Sequence, residues 1–365
     1  MMFSTINKYL YKNYFIGFVI ILAVFSLLIF TGDLIENFRR TATKDVPISI
    51  VFSMSFYNFF SLIYETIPII IFFSYIFSTV NLIRTSEYTI FKSSGLKNSM
   101  LIASPSILFI LISFIFILAV NPLSALFHSK YDELNYIYVK QADKYASISK
   151  NGIWLKQYNE GKKVSSILNS KSIEKEGEIL KNFMILEYNQ IGSFTGRLDG
   201  KRAELKDGFW ILYSVTEHPR YSESQFHEKL EYKTTLKFQD ISNSLVSPDN
   251  ISIYELSDFI ALIEKLGYSA IDHKLEYYNL IFMPILILSL VVLAHSLTFK
   301  LNHNDKILNL MILSIFCVFI FYFISNLFNA LSLSSQINPL IGISLVPLIL
   351  FIISTIFFKI PNKLF

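Results

Sequence analysis

Residue patterns that support covalent or metal chemistry are missing from this chain. It contains no G-x-x-x-x-G-K-[ST], no H-E-x-x-H and no G-x-S-x-G, and its histidines (His128, His218, His227, His273, His295, His303) lack metal-ligand spacing. In a strand-rich segment a lone His218 or His227 is most often a solvated side chain. A stronger chemical signal lies in residues 81–98, NLIRTSEYTIFKSSGLKN. This stretch is too polar to span a membrane, yet it carries Ile83, Tyr88, Ile90, Phe91 and Leu96, the composition of a short interfacial helix. On such a helix Glu87 could form an ion pair with an arginine on a docked ATPase, and Gly95 would end the helix in a left-handed conformation. The alternative is a solvated amphipathic connector. A protein built this way that moves a substrate uphill takes its energy from another subunit.

The elements that position this segment are apolar. Six long apolar runs, near residues 13–32, 50–80, 100–122, 276–299, 307–328 and 339–358, each approach the ~20 residues that cross ~30 Å of hydrocarbon. A mean hydropathy of +0.47, with 53% hydrophobic and 16% charged residues, fits a polytopic membrane protein and excludes an ordinary soluble domain. The first run is too long for a signal-peptide core and no small-x-small site follows it, so it reads as a retained span. The runs form two groups of three, separated by roughly 150 mostly polar residues (about 123–270).

Cations set the expected orientation. Lys8 and Lys12, then Arg84, Lys92 and Lys97, then Lys300 and Lys306, and finally Lys359 and Lys363 mark one side, read as cytoplasmic, with both termini there. The exception is the 33–49 connection, where Arg39, Arg40 and Lys44 stand against Asp33, Glu36 and Asp45. An even number of spans then places the insert across the membrane, in the periplasm of a bacterium. Cys317, the only cysteine, lies in the fifth run, so no disulfide can brace the insert. Glu65 lies about 33 Å along the helix from Glu87, and Asp33 about 31 Å from Lys12. Both carboxylates therefore belong near the outer headgroups, which argues against an ion-driven antiporter.

Inside the insert the period changes to two. Leu230, Tyr232, Thr234 and Leu236 alternate with Glu231, Lys233 and Thr235, and further strands are expected at Gly152–Gln157, Lys163–Leu168, Ile179–Asn189, Thr195–Leu205 and Phe209–Thr216. Leu198-Asp199-Gly200 and Lys206-Asp207-Gly208 read as turns. Such strands predict an all-β sandwich or jelly roll. An amphipathic helix, about 252–266, follows, with Leu256, Phe259, Ile260 and Ile263 on one face and Gly267 at its end.

Over essentially its whole length the chain resembles the LptF/LptG family of lipopolysaccharide-export permeases, and more closely the LptG branch. The likeness rests on DLIENFRR (Asp33 to Arg40), Pro68, RTSEYTIFKSSG (Arg84 to Gly95), Asn121-Pro122 leaving the third span, GIWL (Gly152 to Leu155), FWILYSV (Phe209 to Val215), the Ser252–Gly267 helix, and Pro339 with Gly342. RYSESQFHEK (Arg220 to Lys229) has no counterpart. The resemblance implies residues 1–122 as a first half with a cytoplasmic coupling helix about 82–97, residues 123–270 as a periplasmic β-jelly-roll domain, and residues 271–365 as a second half. It further implies a heterodimer with a paralogous permease subunit, a cytoplasmic ABC ATPase dimer that holds the ATP and magnesium, and a bitopic bridge protein whose β domain continues the jelly roll. This chain itself would bind no cofactor and catalyse nothing. By the same resemblance Glu87, with Arg84, Ser86 and Gly95, engages the ATPase, and Arg39, Arg40 and Lys44 meet lipid A phosphates, which guanidinium groups hold bidentately. The alternative for the basic pair is headgroup snorkelling against Glu36. Lipopolysaccharide would enter laterally from the inner membrane between the first span of one subunit and the fifth of its partner. Phe25, Leu28, Phe316, Phe319, Ile320 and Phe323 are candidates to contact its acyl chains. A different class remains open, an ATPase-coupled mechanotransmission subunit that conducts no lipid.

Overall fold

The computed structural model describes residues 2–95, 98–140, 146–149, 152–158, 164–174, 179–189, 192–206, 208–234, 246–265, 269–298 and 307–359. Lys97, Lys163, Asp207, Thr235, Leu236, Gly267, Lys300, Lys306 and Lys363 lie outside them. Two compact units emerge. One comprises Met1–Asn135, Ser252–Tyr254 and Lys274–Phe365, the other Tyr136–Ile251 and Glu255–His273.

The first unit is helical: α1 (Met2–Thr41), α2 (Ile48–Arg84), α3 (Glu87–Ser93), α4 (Asn98–Ile115) and α5 (Asn121–Leu134) precede the insert. After it come α6 (Ile253–Lys265), which belongs to the second unit from Glu255 on, and then α7 (Ile271–Thr298), α8 (Ile307–Leu333) and α9 (Pro339–Lys359). Six stretches are long and apolar enough to cross a membrane: Thr5–Thr41, Ile48–Arg84, Leu101–Val139, Ile271–Thr298, Asn309–Leu333 and Pro339–Ile356. Pro68, Pro105, Pro284 and Pro347 sit inside these helices, a pattern lipid-embedded helices tolerate because neighbours satisfy the freed carbonyls. The third span departs from expectation. Asn121-Pro122 does not leave the helix, because a π turn at Phe116–Val120 joins α4 to α5 and a second at Asn135–Lys140 extends the rod. The wider turn accommodates the missing Pro122 N–H. The first segment of the helical unit runs to Asn135.

The two groups of spans share one core. Tyr75 of α2 hydrogen-bonds His295 Nδ1 of α7 at 2.7 Å, and Tyr14 of α1 meets Thr79 Oγ1 of α2 at 2.9 Å. Around them Ile67, Ile70, Ile71, Phe72, Phe109, Ile287, Leu290 and Val291 are buried.

The β unit is one seven-stranded antiparallel sheet in the order β1 (Ala146–Ser149), β2 (Gly152–Tyr158), β3 (Val164–Glu174), β4 (Ile179–Tyr188), β5 (Phe194–Lys206), β6 (Phe209–Pro219) and β7 (Gln225–Lys233). The inserted all-β domain is present, and among the described residues its strands follow one another in chain order. The sheet rolls upon itself. At its far edges Thr234 Oγ1 donates to Gln157 Oε1 (2.9 Å) and Gln157 Nε2 to the Lys233 carbonyl (3.3 Å).

A crease makes the roll possible. The ladder is interrupted along one row, at Lys171, Asn182, Lys201, Ser214 and Glu228, and both Asn182 (φ 49°) and Ser214 (φ 51°) are left-handed. β3 to β7 each skip one residue there without a shift of register, and the buried side changes parity across the row: Leu180 gives way to Phe183 and Ile185, Leu198 to Ala203, Leu212 to Val215. Gly200, expected in a turn, lies mid-strand instead. A Cβ at that position would overlap the Phe183 ring, so the glycine marks close approach at the crease. The segment from Arg220 to Lys229 supplies the β6–β7 turn and the start of β7.

Candidate functional site

Three assemblies in the helical unit hold the candidate residues. The first surrounds α3. Arg84 ends α2, and Ser86 then takes φ 61°, a left-handed conformation uncommon for a residue with a Cβ, so the chain turns before Glu87 starts a new helix. The expected helix over 82–97 is thus divided, and only Glu87–Ser93 is the separate helix. Gly95, at φ 83°, stops it, with its N–H donating to the Lys92 carbonyl at 3.2 Å. Tyr88 anchors α3 from below at 5% exposure, with Lys92 Nζ 4.7 Å from its ring centroid. Burial pushes the Tyr88 hydroxyl upward in pKa and the Lys92 ammonium downward. Glu87 is half-buried and accepts a 2.5 Å hydrogen bond at Oε2 from the hydroxyl of Tyr9, on α1.

The second assembly is the far end of α1, where the two arginines part company. Arg39 is exposed and makes a two-pronged ion pair with Glu36, Nε to Oε2 at 2.8 Å and Nη2 to Oε1 at 2.7 Å. Arg40 turns inward. Its Nη1 donates to the Tyr131 hydroxyl and its Nη2 to Asn135 Oδ1, both at 2.8 Å. Beside it Asp33 accepts from Asn58 (2.7 Å) and Asn37 (2.9 Å), and Asn37 also donates to Ser55 Oγ (2.9 Å). Successive helical residues lie about 100° apart, so neighbours at the end of α1 face different surroundings. Of the expected headgroup set, Arg39 has the solvent-facing guanidinium, Arg40 ties α1 to α5, and Lys44 is half-buried just past the helix.

The third assembly is a pair of cavities sharing one face of α8. A cavity of about 570 Å³ between α1, α2 and α8 is lined by Phe25, Phe73, Phe77, Leu310, Met311, Ile315 and Val318, with Asn81 and Arg84 at one end. A second, about 600 Å³, between α2, α7 and α8, sets Tyr64, Glu65, Glu276, Asn279, Tyr322, Ser325, Asn326 and Asn329 among the apolar Pro68, Ile69, Met283, Leu286 and Phe321, and is the more polar of the two. Met311, Ile315, Val318, Tyr322, Asn326 and Asn329 follow three- and four-residue steps, a single stripe that runs from apolar to polar. Only Phe25 of the expected acyl contacts lines the first cavity. Phe316 and Ile320 line a smaller one, about 240 Å³, between α7, α8 and α9, and Leu28, Phe319 and Phe323 lie exposed on the helix surfaces. Sequence reading missed Glu276, Asn279, Asn326 and Asn329. Their signal was a polar stripe at helical spacing in otherwise apolar spans.

Among the described residues no group of three or more His, Cys, Asp or Glu could hold a metal ion. The geometry offers hydrogen-bonding, ionic and apolar surfaces, including an exposed contact of Ser224 Oγ with His218 Nδ1 at 2.7 Å. Among curated proteins none matches the chain. The family model for the lipopolysaccharide export system permease LptF/LptG matches residues 8–360, nearly the whole length, and the six spans with their β insert agree with it. The chain belongs to the LptF/LptG family of lipopolysaccharide export permeases.

Proposed function

We propose that this chain is one of two paralogous six-helix subunits of an ATP-driven exporter that lifts lipopolysaccharide out of the bacterial inner membrane. In this reading both termini and α3 are cytoplasmic, the β domain is periplasmic, and a cytoplasmic ABC ATPase dimer docks at Glu87. A bitopic partner extends the β domain toward the outer membrane. The observation that carries the reading is the graded stripe along α8. A glycolipid has apolar chains and a hydroxyl-rich, charged head, and Met311, Ile315 and Val318 suit the first while Glu65, Glu276, Asn279, Asn326 and Asn329 suit the second. Closure of the cytoplasmic ends on ATP binding would narrow the apolar cavity and drive the lipid toward the polar one. Arg39, the exposed cation at the far end of α1, would meet the head phosphates on arrival.

The test is photo-crosslinking in native membranes. A photoreactive residue at Ile315 or Asn326 should capture lipopolysaccharide, with capture at Ile315 falling when ATP drives transport. Absence of lipopolysaccharide adducts at both sites, in a complex that retains its partners, would remove the conducting role and favour a mechanotransmission subunit.

A further inference from the structure

We propose that Tyr9 is a positioning residue for Glu87, and that it makes the start of α1 part of the surface on which a cationic docking partner is received. The inference rests on Glu87 being the docking carboxylate. Glu87 and Phe91 stand four residues apart, on one face of α3. Tyr9 spans that face: its ring lies 6.2 Å from the Phe91 ring and its hydroxyl donates to Glu87 Oε2 at 2.5 Å. The two residues are 78 positions apart in sequence and belong to different helices.

The chemistry follows from what a phenol can and cannot do. It donates one hydrogen bond without neutralising the carboxylate, so Glu87 keeps its charge while its side chain is held in one rotamer. Oε2 is engaged by Tyr9, leaving Oε1 as the atom a guanidinium or ammonium would approach end-on. A carboxylate already held loses less side-chain freedom on docking than a free one. Mechanically, the contact ties α3 to a single 40-residue helix that passes the apolar cavity at Phe25 and ends at Arg39 and Arg40. A load applied at Glu87 therefore reaches α1 directly, without passing through α2.

The experiment uses the full permease heterodimer in lipid nanodiscs, titrated with its separately purified ATPase subunit. Tyr9→Phe keeps the ring on Phe91 and removes only the hydroxyl. It should weaken binding about three- to tenfold, and add no further loss in a Glu87→Gln background, because the hydroxyl acts through that carboxylate. If Glu87→Ala weakens docking while Tyr9→Phe does not, the positioning role is overturned and the docking role of Glu87 stands. An equal Tyr9→Phe loss with and without Glu87 also overturns it, since Tyr9 would then touch the partner itself. Unchanged binding in both Glu87→Ala and Tyr9→Phe overturns the docking role and the positioning role together.

Discussion

The two ends of α1 are held in opposite ways. At the Arg40 end, α1, α2 and α5 are cross-braced by seven polar side chains (Asp33, Asn37, Arg40, Ser55, Asn58, Tyr131, Asn135) joined by five hydrogen bonds, with Asn37 Oδ1 buried and unpartnered. At the other end α1 is bonded to α4 through Asn7 and Ser104 (3.0 Å), but its tie to α3, a seven-residue helix that begins after a left-handed serine and stops at a left-handed glycine, is one exposed hydrogen bond and a ring contact from Tyr9. In a low-dielectric surround a hydrogen-bonded polar network is rigid, because separating any pair leaves a desolvated group behind. A single solvent-facing contact exchanges with water at small cost. The molecule thus combines a braced end of α1 with an exposed joint between α1 and α3.

Breaking the brace should have the largest effect. Arg40→Ala removes two charge-assisted hydrogen bonds and should lower stability by about 2–3 kcal/mol, seen as a reduced thermal transition in detergent. Arg39→Ala, on the exposed pair, should leave that transition unchanged while reducing lipopolysaccharide crosslinking. Equal melting of the two variants would end the distinction between the arginines. At the joint, Ser86→Val forces a β-branched side chain into the left-handed region and should cost about 1–2 kcal/mol, whereas Ser86→Gly should be neutral or stabilising. Limited proteolysis of the 84–95 segment reads this out. A smaller loss, roughly 0.6 kcal/mol, is expected for Tyr75→Phe, which removes the bond between α2 and α7. A loss as large as that of Arg40→Ala would show the bundle interior, rather than the end of α1, to be the brace.

The smallest expected effect concerns pH and the rolled sheet. Burial, with the Glu217 carboxylate nearby, raises the Glu187 pKa above its ordinary 4.5, against a lowering hydrogen bond from Tyr232. A raised folded-state value means the folded chain holds this proton more tightly than the unfolded chain does. Stability contributed here is greatest below about 4.5 and declines as pH rises through the raised value. Glu187→Gln should flatten that decline, measured by tryptophan fluorescence of the full chain during urea unfolding at several pH values. An unaltered slope would place the pH dependence elsewhere.

Much of the architecture is legible in the residues. Apolar runs of membrane length, a change of period from 3.6 to two at the insert, and the helical spacing of Leu256, Ile260 and Ile263 each express a local constraint that one segment satisfies alone. Strands β2 to β6 are readable for the same reason. Gly200 is not, because glycine marks a turn and a close approach alike, and only the Phe183 ring distinguishes them. The π turn before Pro122 is equally silent, since proline ordinarily ends a helix unless its neighbours absorb the missing donor. Asn326 and Asn329 carried a faint stripe that the abundance of apolar residues obscured.

By itself, then, the sequence determines that six helices cross a membrane, that a β domain is inserted between the third and fourth, and that the chain is an LptF/LptG permease, because those properties reside in composition, period and the order of motifs. Tertiary structure alone decides that Arg39 faces outward while Arg40 braces α5, that Tyr9 reaches Glu87 across 78 residues, and that the sheet rolls until Thr234 meets Gln157. Each of these depends on which side chains meet across helices or strands, and a hydrogen bond between distant segments leaves no periodicity in either.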